Sequence, residues 1–137
     1  MIANKPAVLY VDDNPKSRKL LATVFRGCGF EVFTAADPME ALRYSRSFCF
    51  NLVLLDYHLP VLSGPELAQK IKSMHSGIPI MMISSCAVLP STELLFVDAH
   101  FGCDSSLEDL VATMRTLTGS QAVERNKAVA GDWSDST

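Results

Sequence analysis

A small set of acidic and hydroxyl side chains stands directly after apolar segments of the chain: Asp12, Asp13, Asp56, Ser84 and Ser85. In an open α/β sheet, ligands bind outside the carboxyl ends of the strands. If the apolar segments are neighbouring parallel strands, three carboxylates and a hydroxyl therefore converge at one edge of that sheet.

Such a cluster has a chemistry of its own. Carboxylates that lie close together repel one another, and each raises the pKa of the others unless a cation neutralises them. Hard carboxylate oxygens suit Mg²⁺, which keeps several waters and usually binds a phosphate as well. The sequence therefore indicates a Mg²⁺ site at Asp12, Asp13 and Asp56. The alternative is that Asp12 and Asp13 only cap a helix that starts at Pro15, which leaves Asp56 unexplained.

Five apolar segments alternate with five helical patterns and would position these side chains. The predicted strands are residues 7–11, 30–34, 51–56, 78–84 and, more weakly, 99–102. The predicted helices are residues 16–28, 37–46, 64–74, 90–97 and 106–117. Three of the strand segments are continuously apolar, which is typical of strands covered on both faces in a parallel sheet.

This alternation predicts an α/β fold with a doubly wound parallel sheet and right-handed crossovers. Five βα units in a chain of this size match the flavodoxin-like (βα)5 fold, with strand order 2-1-3-4-5. The domain is expected to cover residues 5–118. The polar residues 119–137 either extend the last helix by a turn or two or form a flexible tail from the start, and a flexible tail is expected for most of them.

Composition limits the function classes. The chain has 137 residues, 48% of them hydrophobic and 20% charged, as in an ordinary soluble globular protein. Its net charge of −3 provides no basic surplus for binding nucleic acid. No apolar run approaches the roughly 20 residues that span a bilayer, and the N-terminus lacks the zones of a signal peptide. A cytoplasmic protein without nucleic-acid or membrane partners is expected.

Three motifs surround the polar side chains: VDDN at residues 11–14, LLDYHLPVLSG at 54–64 and PIMMISS at 79–85. Together they resemble the receiver domain of two-component response regulators, over about residues 7–118. The resemblance implies that Asp56 accepts a phosphoryl group from a histidine kinase or a phosphotransfer protein. It also implies that the protein signals to an unidentified downstream protein and is not an enzyme in its own right.

The resemblance assigns further roles around the acceptor. The three aspartates would bind Mg²⁺ together with a backbone carbonyl near Tyr57 or His58, and the metal would neutralise charge as the phosphoryl group is transferred. Ser84 takes the place of the switch residue whose hydroxyl hydrogen-bonds the phosphate. His58 and Cys86 take the positions that control how water reaches the acyl phosphate.

The sequence departs from the family after the fifth predicted strand. Receivers usually have a lysine and a proline there, and these positions are Cys103 and Asp104 in this chain. No lysine or arginine lies between Lys72 and Arg115. A charge-assisted hydrogen bond contributes roughly 1.5–3 kcal/mol. The coupling of phosphorylation to output is therefore expected to be weakened or rerouted, whereas Mg²⁺ binding needs only the carboxylates.

The missing lysine leaves two hypotheses open. One is a phosphoacceptor receiver with an altered switch, and the other is a pseudo-receiver that acts as a phosphorylation-independent interaction module. His100 takes the family's aromatic switch position, where it either reports on Ser84 or has no role. Cys103, beside acidic residues, is expected to be a poor nucleophile. No periodic helices follow Leu117, so output through a protein contact or a phosphate relay is expected.

Overall fold

Five parallel strands form one sheet in the order β2-β1-β3-β4-β5, which confirms the predicted flavodoxin-like order. A computed structural model describes residues 5–85, 89–102 and 105–125, with side chains up to residue 119. The strands are β1 (Ala7–Val11), β2 (Glu31–Ala35), β3 (Leu52–Asp56), β4 (Ile80–Ile83) and β5 (Ala99–Phe101). Each lies within one or two residues of its predicted position.

Four α-helices lie between or after the strands in the described parts of the chain. They are α1 (Pro15–Gly27), α2 (Pro38–Ser47), α3 (Gly64–Met74) and α4 (Leu107–Arg125). The helix predicted at residues 90–97 was wrong, because this segment holds only a 3₁₀ turn at Ser91–Leu94. No residue of the turn is buried, and Leu95 after it is 72% exposed. Without a buried apolar face, tertiary packing does not stabilise an α-helix there.

Polar caps fix where three helices start. The side chain of Asn14 accepts the amides of Lys16 and Ser17 at the start of α1. Asp37 does the same for Glu40 in α2, at 2.8 Å. Ser63 forms a capping box with the third residue of α3. Each cap is followed within two residues by a proline, which is preorganised for the first turn.

Side chains of the central strands alternate between two apolar layers. The layer packed against α2 and α3 includes Leu9, Val11, Val53 and Leu55. The layer packed against α1 and α4 includes Val8, Tyr10, Leu52 and Leu54. Of these eight side chains, only Tyr10 carries a hydroxyl group. No helix among the described residues is long and apolar enough to span a bilayer.

Candidate functional site

The carboxyl ends of β1 and β3 bring the three aspartates together. Val11 pairs with Leu55 in the parallel ladder, so the residues that follow them face each other across the sheet edge. One carboxylate oxygen from each of Asp12, Asp13 and Asp56 lies within 4.8 Å of the others. The sequence predicted this convergence, and a single cation could contact all three side chains.

Helix capping does not account for the aspartate pair. Asn14 supplies the side-chain cap of α1, through hydrogen bonds of 2.9 and 3.1 Å to two amides of the first turn. Asp12 accepts the backbone amide of Asn14 itself, at 2.9 Å. The carboxylate of Asp13 is exposed and accepts no hydrogen bond from the described residues. Neither aspartate carboxylate accepts an amide of the first turn of α1, so capping does not explain why both residues are acidic.

Asp12 is the most firmly held member of the cluster, with only 6% of its surface exposed. Its second carboxylate oxygen accepts the hydroxyl of Tyr10 at 2.6 Å. Its backbone amide donates to the carbonyl of Ala35 at 3.1 Å. Its own carbonyl accepts the guanidinium of Arg18 at 2.7 Å. Strand, helix and side-chain contacts together fix this residue.

Asp56 lies where its charged form is disfavoured. Burial, and then the negative charge of Asp12, raise the pKa of the Asp56 carboxyl to about 6. The backbone amide of His58 donates to the carboxylate at 3.3 Å and opposes this rise in pKa. Burial likewise raises the pKa of the Tyr10 phenol, so this group remains a hydrogen-bond donor at physiological pH. Like-charge repulsion was expected from the sequence, whereas burial is the larger cause.

The loop between β3 and α3 packs tightly against the backbone of Asp56. A Cβ atom added to Gly64 would lie 2.6 Å from the backbone oxygen of Asp56, so only glycine fits there. The Gly64 amide donates to the carbonyl of Tyr57 at 2.9 Å. Val61 in the same loop has φ of 71°, an uncommon conformation for a β-branched residue. The loop is therefore held in a strained shape next to the site.

An open cleft of about 450 Å³ lies above the three carboxylates. Its described lining also includes His58, Ser84 and Ser85, two of which were predicted to act on the phosphate or on water. None of its described lining residues is a lysine or an arginine. Lys72 is engaged elsewhere, because its ammonium pairs with Asp98 at 3.1 Å.

Of the four remaining predicted residues, Ser84 and His100 lie in the described part of the chain and the two cysteines do not. Ser84 is 2% exposed, and its amide donates to the carbonyl of Phe101 at 2.9 Å, which joins the end of β4 to β5. His100 pairs with Met82 in the sheet, and its buried Nε2 has no hydrogen-bond partner among the described residues. It is not among the described residues that line the cleft. Two further predicted residues, Cys86 and Cys103, lie outside the described residues.

One contact at the acidic cluster, the hydrogen bond from Tyr10 to Asp12, was not predicted from the sequence. Tyr10 and Asp12 are two residues apart on β1, so their side chains lie on the same face of the strand. The signal was available, because a tyrosine in an otherwise aliphatic buried strand needs a partner for its hydroxyl. Tyr10 therefore belongs with the acidic cluster.

Residues 8–99 match the family of the response regulator receiver domain. The chain belongs to this family. This match confirms the resemblance that the three motifs indicated. Members of the family act in two-component signalling.

Curated relatives carry this domain as part of longer proteins. The DNA-binding response regulator MtrA from Mycolicibacterium smegmatis is 32% identical over 121 residues, which are 88% of this chain and 49% of that protein. The sensor histidine kinase RcsC from Salmonella typhi is 28% identical over 110 residues, which are 80% of this chain and 12% of that protein. The chain thus spans half or less of the length of these relatives.

Solved receiver structures share the fold. The response regulator TrrA from Thermotoga maritima, in complex with Mg²⁺-BeF, has a TM-score of 0.77 and 27% identity, with 82% of this chain and 98% of that chain covered. A CheY-like receiver domain from Methanospirillum hungatei has a TM-score of 0.82 and 27% identity, with 88% and 99% covered. Both similarities extend over nearly the whole of the compared chain.

Proposed function

We propose that this receiver is a phosphoacceptor of a two-component system or phosphorelay, and that Asp56 receives the phosphoryl group. The observation that carries the proposal is the convergence of three carboxylates within 4.8 Å at the floor of an open cleft. The buried residue Ser84 lines the same cleft. An acceptor, a set of cation ligands and a hydroxyl group are thus available in one place.

The donor set fits Mg²⁺. Carboxylate oxygens are the hard ligands that Mg²⁺ prefers, and one oxygen from each of the three aspartates lies within 4.8 Å of the others, so one cation could contact all three. Because the Tyr57 carbonyl already accepts the Gly64 amide, we propose the carbonyl of His58 as the backbone ligand. Bound Mg²⁺ would supply charge neutralisation between the anionic acceptor and the anionic phosphoryl group.

In the proposed transfer of the phosphoryl group, Asp56 is the nucleophile. A carboxylate oxygen of Asp56 forms a bond to phosphorus while the phosphorus–nitrogen bond of a phosphohistidine breaks, and the electron pair of that bond stays with the donor imidazole. Asp56 must be ionised to attack, and with a pKa near 6 it is ionised at neutral pH. The open cleft allows a donor protein to approach the acceptor in line.

Ser84 is proposed to couple the modification to the surface. The phosphoryl group adds about two negative charges to Asp56. If the Ser84 hydroxyl moves toward them, the chain after β4 moves with it. The Ser84 amide is bonded to the carbonyl of Phe101, so the same displacement would reach the end of β5. No described lysine or arginine lines the cleft, so we expect this hydroxyl to bear most of the coupling.

The donor is proposed to be a histidine kinase or a phosphotransfer protein, and the output an unidentified downstream protein. We propose a signalling role in the cytoplasm, without an enzymatic activity beyond the receiver's own phosphorylation. The two relatives described above, a response regulator and a sensor kinase, support the general role but not the particular partner.

Intact-protein mass after incubation with acetyl phosphate tests the proposal. The wild type should gain one phosphoryl group with Mg²⁺ and none with EDTA, and Asp56→Asn should gain none in either case. Asp13→Asn should gain it more slowly, because a metal ligand is lost. If neither acetyl phosphate nor phosphorylated histidine donors modify the wild type, the pseudo-receiver hypothesis is supported instead.

A further inference from the structure

We propose that Tyr10 is a positioning residue for the divalent cation, because its buried hydroxyl orients the Asp12 carboxylate. The hydroxyl donates to one oxygen of Asp12 at 2.6 Å. This inference rests on the proposed Mg²⁺ site and adds a residue outside the three aspartates. It assigns a role in metal binding to a side chain that otherwise belongs to the apolar core.

The ring of Tyr10 has a fixed position, so its hydroxyl can hold the Asp12 carboxylate in one orientation. Tyr10 is 1% exposed and lies in the apolar layer packed against α1 and α4. Its ring meets that of Phe25 edge to face, with centroids 5.7 Å apart and planes at 78°. This packing keeps the Tyr10 hydroxyl in a defined position near the carboxyl end of β1.

Asp12 and Asp13 differ in how far they are fixed before a cation arrives. Asp12 accepts Tyr10 on one oxygen and the Asn14 amide on the other. Asp13 is exposed and accepts no hydrogen bond from the described residues. The site therefore combines a preoriented ligand with an adaptable one, and preorientation lowers the entropic cost of binding.

Hydrogen bonds to ligating carboxylates generally matter for metal affinity. Loss of such an outer partner typically weakens metal binding by about 10–100-fold. Tyr10→Phe removes the hydroxyl and keeps the ring that packs against Phe25. We therefore expect this variant to bind Mg²⁺ more weakly by a factor in that range.

Tyr44 offers a matched control. Tyr44 lies on α2, and its ring packs against Phe33 of β2 in the other apolar layer, with centroids 6.1 Å apart. Tyr44→Phe therefore removes the same hydroxyl group at a place away from the acidic cluster. The full chain would be titrated with MgCl₂ by calorimetry as wild type, Tyr10→Phe and Tyr44→Phe. Near-ultraviolet circular dichroism would verify that each variant is folded.

A second readout needs no metal. In the chelated protein, proton NMR should show a slowly exchanging hydroxyl resonance in the wild type and in Tyr44→Phe. This resonance should be missing from Tyr10→Phe, since the short hydrogen bond to Asp12 is gone. It reports the contact itself, independently of phosphorylation.

The outcomes separate the inference from the proposed function. Weaker Mg²⁺ binding in Tyr10→Phe alone, with the resonance lost, supports the positioning role. Equal affinity in all three proteins overturns it and leaves the phosphoacceptor proposal intact, as does a lower urea midpoint in Tyr10→Phe without a change in affinity. If the wild type binds no Mg²⁺, the inference and the metal step of the proposed function both fall.

Discussion

Replacing Asp56 by asparagine is expected to stabilise the metal-free protein at neutral pH. The carboxyl of Asp56 is partly buried beside Asp12, and its pKa is raised to about 6 from the ordinary value of 3.8. Between about pH 4 and 6 the folded state therefore holds a proton that the unfolded state has already lost, and above pH 6 both states are ionised. Ionising the folded protein costs free energy, and Asp56→Asn removes that cost.

The sign and the size follow from proton linkage. Between pH 4 and 6 the folded state binds more protons than the unfolded state, so the free energy of unfolding falls as pH rises. The full pKa difference corresponds to about 3 kcal/mol at 1.36 kcal/mol per pKa unit. Because the Asp56 carboxyl is open to solvent in the cleft, screening reduces this to roughly 1 kcal/mol.

Urea unfolding in EDTA at several pH values measures this effect. Asp56→Asn should match the wild type near pH 4 and exceed it by roughly 1 kcal/mol above pH 6. Saturating Mg²⁺ should reduce or reverse the difference, because the cation stabilises the wild type by binding its folded state. A difference that is independent of pH, or a less stable Asp56→Asn at pH 7, would refute the assigned environment of Asp56.

Three further substitutions test the surroundings of Asp56. Gly64→Ala places a Cβ 2.6 Å from the Asp56 carbonyl, so it should destabilise the protein by about 1–3 kcal/mol in urea and slow phosphorylation by acetyl phosphate. Asn14→Ala removes the cap of α1 and should cost about 1 kcal/mol in the same assay, with Mg²⁺ affinity nearly unchanged. Tyr57→Phe removes the 2.8 Å hydrogen bond to Glu93, so amides of the 3₁₀ turn should exchange faster with deuterium.

The opposite result in each of the three variants would point to a different role for the substituted residue. If Gly64→Ala has the stability and the phosphorylation rate of the wild type, the loop after β3 adjusts to the added methyl group at little cost in free energy. A large loss of Mg²⁺ affinity in Asn14→Ala would mean that the cap also shapes the acidic cluster. Unchanged exchange in Tyr57→Phe would mean that other contacts hold the 3₁₀ turn.

The sheet and the acidic cluster could be predicted because they depend on local patterns. The continuous apolar runs before Asp12 and Asp56 mark strands covered on both faces. Carboxyl ends of parallel strands share one edge, so the convergence of these side chains follows from the order of the strands. The structure places their oxygens within 4.8 Å of one another and of an oxygen of Asp13.

The rest depends on packing that no local pattern contains. Residues 90–97 have helical spacing, but Val97 is the only one of their described apolar side chains that packs against the core, and only a 3₁₀ turn forms. Burial is the largest cause of the raised pKa of Asp56, and it exists only in the folded protein. The same holds for the hydrogen bond between Tyr10 and Asp12. To predict such features one must know how deeply each residue is buried, and the spacing of residues along the chain does not give that information.

The position of the phosphoryl group on the chain decides whether Asp56 is the phosphoacceptor. After acetyl phosphate treatment, borohydride reduces an aspartyl phosphate to homoserine, and peptide mass spectrometry then identifies the converted residue. We expect conversion at Asp56 alone, and only when the phosphodonor and Mg²⁺ are both present. Conversion at Asp12 or Asp13, or none in fully folded protein, would contradict the assignment of Asp56 as the acceptor.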